Sequence, residues 1–178
     1  GPITKEMKEY SKDVDKMGAT LDACIIYDDI AHIGHVGNGR VYHINKHGTI
    51  KKLTREHVDY GESELPRLDE TIIEMGLGLT NYIGQKSNIP IDMYEIPLGV
   101  GDRLLMVTDG LSHSVSESEM VVASRDMDKA VFGLLDVVEK PGWMAEAYSR
   151  IRGVPFKEAQ KYLGLRDDTS FILAKRLE

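Results

Sequence analysis

The sequence predicts an α+β domain whose strands and helices occupy separate layers. Three observations predict it. Short apolar-alternating runs fill the first third of the chain, helical periodicity occupies 116–151, and one more strand-like run follows at 169–175. Strands in succession, then helices in succession, argue against the strand–helix alternation that builds a parallel sheet.

The elements read as follows. Residues 4–16 place Met7, Tyr10 and Val14 at spacings of three and four, one face of a helix. Residues 20–27 read as a strand, with Asp28-Asp29 as a tight turn after it. Residues 30–36 and 40–44 are two further strands with Gly37-Asn38-Gly39 between them, and Gly48-Thr49 turns the chain into 50–53. Together these predict an antiparallel meander. The polar stretch 57–76, with Pro66, lacks periodicity and reads as a long surface flap. Residues 91–96 and 103–108 are strands joined by a turn at 97–102. Ser116 and Glu119 form a capping box, opening helices at 116–123, 127–139 and 143–151, and Pro155 starts a shorter one. Trp143 anchors the helical block.

Length and composition bound the function. The chain has 178 residues and 42% apolar content, enough for one domain with a core. Its 22 basic and 29 acidic residues leave a net charge of −7, which disfavours nucleic acid as a partner. No run is long and apolar enough to predict a membrane helix, and no signal peptide is visible. The one cysteine, Cys24, lies in an apolar run, reads as a buried thiol and suits the cytoplasm. The opening Gly-Pro resembles the scar of a cleaved tag, so the chain is expected to begin inside a domain.

Two segments carry chemistry. The run 102–111 (DRLLMVTDGL) delivers Asp109 to the end of an apolar strand with Gly110 behind it. That carboxylate either projects into a cleft or caps a turn. At 166–171 (RDDTSF) the adjacent acids Asp167 and Asp168 precede the last strand. Neighbouring carboxylates repel unless a cation joins them, though a solvated loop holds such pairs as well. The histidines show no i, i+4 pair on a helix, and His35 and His43 read as packing or surface residues.

The order of five short segments is the specific signal: GATL at 18–21, GNGR at 37–40, LTREH at 53–57, TDGL at 108–111 and DDTS at 167–170. In that order they resemble the metal-dependent protein phosphatase (PPM, type 2C) family, over most of the chain. The resemblance implies two antiparallel sheets packed face to face with flanking helices, an α-β-β-α sandwich, here as a single domain over 1–178 lacking the N-terminal strands. It implies hydrolysis of phosphoserine and phosphothreonine on a protein substrate by a metal-activated water, with two Mn²⁺ or Mg²⁺ ions in the complete domain. By position, Asp109 and Asp167 match metal-binding, catalytic aspartates of the family, and Gly110 lets the backbone pass close to them.

Two departures stand out. The family's N-terminal metal motif and phosphate-binding arginine have no counterpart here, so a missing segment or a partner chain is expected to complete the sheet and the site. Asn38 stands where many relatives carry aspartate, which weakens any third metal site. These departures set an alternative beside the enzyme, a pseudophosphatase serving as a binding or regulatory module. A third reading is the related branch acting on phosphoserine in anti-sigma-factor antagonists.

Overall fold

Seven strands and three helices are seen in a computed structural model that describes residues 18–59, 78–85, 88–138 and 169–177, with Ser149, Pro155 and Lys157 besides. The strands are β1 (Leu21–Tyr27), β2 (Ile30–Val36), β3 (Arg40–Ile44), β4 (Ile50–Lys52), β5 (Asp92–Pro97), β6 (Arg103–Val107) and β7 (Phe171–Lys175). The helices are α1 (Asp109–Ser112), α2 (Glu117–Ala123) and α3 (Met127–Val138). One antiparallel sheet has the order β1-β2-β5, the other β4-β3-β6-β7. The predicted helices around 4–16 and 143–151, the flap beyond 59, Trp143, Asp167 and Asp168 lie outside the described residues.

Local signals set the turns. Asp28 and Asp29 both adopt positive φ, 48° and 65°, the left-handed pair that a two-residue hairpin turn requires. Ser116 caps α2 reciprocally: its hydroxyl accepts from the Glu119 amide, and the Glu119 carboxylate accepts from the Ser116 amide at 2.9 Å.

The predicted meander is not formed. β1 and β2 pair as a hairpin and so do β3 and β4, but β2 and β3 belong to different sheets. The chain leaves one sheet at Val36 and enters the other at Arg40, so Gly37-Asn38-Gly39 is a crossing between layers and not a hairpin turn.

Strand alternation then builds two cores, one on each face of the four-stranded sheet. Leu104 and Met106 of β6 meet Ala31 and Ile33 of β2 and Val41 of β3 between the sheets. Leu105 and Val107 point the other way, with Tyr42 and Ile44 of β3, onto Leu111, Met120, Val121 and Leu134 of the helical layer. Each such side chain contributes roughly 1.5–3 kcal/mol on full burial. Burial raises the Tyr42 hydroxyl pKa to about 12, the nearby Arg40 only partly opposing it. Cys24 is half-buried at the edge of the inter-sheet core, where a fully buried thiol was expected, because β1 is an edge strand. The outer edge strand β1 leaves Ile25, Ile26 and Tyr27 exposed. Among the described residues no helix is long and apolar enough to cross a membrane.

Candidate functional site

The crossing at 37–39 admits only small residues. Gly37 has φ +116°, and a Cβ there would stand 2.3 Å from the Thr20 methyl. A Cβ on Gly39 would stand 2.0 Å from Asp22 Oδ2. The glycines therefore let two layers approach backbone to side chain, with Asn38 held at the apex between them.

Segment 53–57 clamps this crossing residue by residue. The Leu53 amide donates to Val41 O at 2.8 Å, and the Val41 amide donates to Thr54 Oγ1 at 3.0 Å. The Arg55 carbonyl accepts from His35 at 3.0 Å, and the Glu56 carboxylate contacts the Arg40 guanidinium. The His57 amide donates to Gly37 O at 2.7 Å, and His57 Nδ1 accepts from the Gly37 amide at 3.2 Å. Leu-Thr-Arg-Glu-His thus serves to fix the turn that carries Asn38.

Asp109 faces that turn. The fully buried β6 delivers it, and it opens α1 where a plain strand end was expected. Its Oδ2 accepts from Asn38 Nδ2 at 2.7 Å, and its Oδ1 accepts from its own neighbour, the Gly110 amide, at 2.9 Å. Thr108 and Ser170 exchange backbone and side-chain hydrogen bonds at 2.9–3.3 Å, which joins the start of the β7 segment to the same end of β6. A carboxylate offers about four lone-pair positions, so two donors leave capacity for a further ligand. Of the sequence-predicted site residues, Asp109 and Gly110 stand together at this end, and Asp167 is outside the described residues. Among the described residues no three acids, histidines or cysteines converge as a ligand cluster.

Behind the crossing lies a polar network that sequence reasoning missed. Asp22, His35 and Asp92 are directly opposite one another across β1, β2 and β5. His35 is fully buried; its Nδ1 lies 2.6 Å from Asp22 Oδ1 and its Nε2 lies 3.0 Å from Arg55 O. Both partners only accept, so both ring nitrogens donate and the ring is an imidazolium. Burial works against that charge, but the bond to Asp22 and its negative charge outweigh it, and the His35 pKa is raised. His57 is fixed oppositely: Nδ1 accepts from Gly37, so Nε2 carries the proton and donates to Asp92 Oδ2 at 3.1 Å. That bond holds the Asp92 carboxyl below its ordinary range, against the opposing effect of burial. The available signal was parity: Asp22 shares its strand face with Cys24, the inward side of β1.

The pH dependence follows from the direction of these shifts. His35 is raised above its ordinary 6.5, so its contribution to stability is complete below that pH and is lost as pH rises through the folded value. Asp92 is lowered, so its contribution is present above the ordinary carboxylate range and is lost as pH falls through the folded value. Asp22→Asn is expected to flatten the fall in Tm on the alkaline side of pH 6.5 while leaving the acid side steep. Calorimetry across pH 4–9 checks this, and an unchanged alkaline slope would contradict the imidazolium assignment.

Comparison with known proteins places this geometry. A sequence profile of the family described as Protein phosphatase 2C matches residues 3–149. The chain is 31% identical over 127 residues to a serine/threonine phosphatase, stp, of Listeria monocytogenes, covering 66% of this chain and 49% of that protein. It is 30% identical over 132 residues to the protein phosphatase PhpP of Streptococcus pneumoniae, covering 69% and 50%. The chain thus spans about half the length of the curated relatives it matches. The fold matches a serine/threonine phosphatase from Staphylococcus aureus with a TM-score of 0.69 at 19% identity, over 99% of this chain and 65% of that one. It also matches the catalytic domain of the serine/threonine phosphatase PstP, solved with two manganese ions, with a TM-score of 0.66 at 17% identity, over 99% and 66%. The two-sheet architecture, the ordered segments around Asp109 and the profile match agree, and the chain belongs to the protein phosphatase 2C family.

Proposed function

We propose that this chain forms a single domain of a metal-dependent protein serine/threonine phosphatase, acting on phosphoserine and phosphothreonine of protein substrates in the cytoplasm. The observation that carries the reading is the placement of Asp109: a half-buried carboxylate at the end of a rigid strand, its oxygens oriented by Gly110 and Asn38 and, among the described residues, not closed off by a cation. Oxygen donors of this kind suit Mn²⁺ or Mg²⁺, and the manganese-bound PstP domain supports that choice. Asp109 would hold such an ion, and Asp167 is proposed to join it, since it lies three residues before Ser170, which is tied to Thr108. Bound divalent cations supply a nucleophilic water at neutral pH and offset the charge that develops on a transferring phosphoryl group. The chain's own residues position that chemistry: segment 53–57 fixes the crossing, the crossing holds Asn38, and Asn38 and Gly110 aim the carboxylate.

The Asn38–Asp109 bond also favours a second reading. A neutral donor satisfies Asp109 without any metal, as a binding module that has given up catalysis would require. Turnover separates the two. The chain within its full-length native protein is expected to hydrolyse an aryl phosphate in Mn²⁺ and to stop when a chelator is added, and the chain assayed alone is expected to be much weaker, since it carries no counterpart of the N-terminal metal motif and phosphate-binding arginine. Absence of metal-dependent turnover by the full-length protein on aryl phosphate and phosphopeptides alike establishes the binding module instead.

A further inference from the structure

A second charged feature lies at the other end of β6. A cavity of about 300 Å³ opens where the β3–β4 turn, the β5–β6 turn, the α2–α3 loop and the end of β7 meet. Lys46, His47, Arg103, Arg125 and Lys175 line it, and no acidic residue does among the described residues. That is unusual in a chain with a net charge of −7. Elsewhere Arg40, Lys52, Lys129 and Arg176 each contact a carboxylate.

Arg103 is the informative member. It is only 5% exposed, lies on the helix-facing side of β6 and faces the cavity. Among the described residues its guanidinium makes one hydrogen bond, Nη1 to Ser124 Oγ at 3.1 Å, and no carboxylate stands within ion-pair distance. A guanidinium has five N–H donors, so among the described residues most of its donor capacity is left for the cavity that it lines. Burial and then the neighbouring Arg125 lower its pKa, only partly countered by Asp102. Two guanidinium groups held close without an intervening carboxylate repel, and an anion between them relieves that cost. Asp102, the nearest buried acid, cannot serve. Its oxygens accept from His43 Nε2, the Lys46 amide and the Gly99 amide at 2.8–2.9 Å, and so fix the turns that frame the cavity. Gly48 and Gly101, both at positive φ, keep side chains off the rim.

We propose that this cavity binds a phosphate-type oxyanion, with Arg103 as its central donor and Lys46, Arg125 and Lys175 supplying the surrounding charge. The planar fork of arginine matches phosphate oxygens in pairs, and the volume stands at the lower end of the ~300–1,000 Å³ range of small-molecule sites. The site is independent of phosphoryl hydrolysis at the Asp109 end, six residues along the chain and at the opposite end of the strand.

The test is a titration of the chain, free of added divalent cations, followed by NMR at the Gly48 and Gly101 amides. Three probes are used: inorganic phosphate, a phosphoserine peptide and the same peptide without phosphate. Saturable shifts with inorganic phosphate are expected, weakened at least tenfold by the double variant Arg125→Glu, Lys175→Glu. Both positions are exposed, so unchanged amide shifts in β2 certify the fold. Binding of inorganic phosphate without the phosphopeptide makes the free ion the ligand, and binding of the phosphopeptide makes it a protein-borne phosphoryl group. No saturable shift by about 20 mM of either phosphorylated probe, far weaker than a specific site requires, overturns the proposal. Equal affinity in the double variant, or equal binding of the unphosphorylated peptide, overturns it as well.

Discussion

Asp109→Ala is expected to remove Mn²⁺-dependent phosphate ester hydrolysis by at least about 100-fold, because a catalytic cation supplies several kcal/mol of transition-state stabilisation and each 1.4 kcal/mol is tenfold in rate. Among the described residues no cluster of three acids, histidines or cysteines offers an alternative ligand set for the cation. Asn38→Ala provides the contrast. It deletes one neutral donor on Asp109 Oδ2, and a hydrogen bond to a charged group contributes about 1.5 kcal/mol or somewhat more, so a loss of roughly tenfold is expected. Kinetics on both variants, with Tm measured beside them, checks the pair. Equal losses would mean that Asn38 acts on substrate itself, and a fully active Asp109→Ala protein would move the metal centre elsewhere.

Glu56→Ala is expected to cost about 3–5 kcal/mol of stability, the usual result of removing one partner from a buried ion pair. The Glu56 side chain is 2% exposed and contacts both Arg40, 7% exposed, and Lys52 Nζ at 3.0 Å. Lys52 reaches solvent and tolerates the loss, but Arg40 is enclosed at the start of β3 and cannot. Domains are stable by only about 5–15 kcal/mol, so a large share is at stake. Urea denaturation measures it, and a shift below about 1 kcal/mol would show that Arg40 is stabilised by its other contacts.

Local rules carried the reading as far as local interactions decide structure. The bounds of β2 and β3 match the alternating runs 30–36 and 40–44, and the Ser116 capping box stands as the spacing required. The destination of the chain after Val36 was not legible. Gly37-Asn38-Gly39 is compatible with a hairpin, and what sends β3 to the other sheet is pairing with Arg103–Val107, some sixty residues away. The site divides along the same line. Asp109 was visible because an apolar run ends on it. Asp22, His35 and Asp92 were not, because they are far apart in sequence and only cross-strand register brings them together. Asn38 was noticed as a departure from relatives, yet its bond to Asp109 needed the two layers to be docked.

The two cores share a wall, and that has a consequence for how the molecule opens. β6 gives alternate side chains to both, Leu104 and Met106 to one side, Leu105 and Val107 to the other. The helical layer can detach by breaking only its own contacts with the sheet. Releasing β6 requires both apolar layers to come apart at once. Its amides, from Arg103 to Val107, are therefore expected to exchange with deuterium only through complete unfolding, while those of α2 exchange through a cheaper partial opening. Asp109 is attached to the last part of the molecule to yield, so its position is expected to survive fluctuations that loosen the helices.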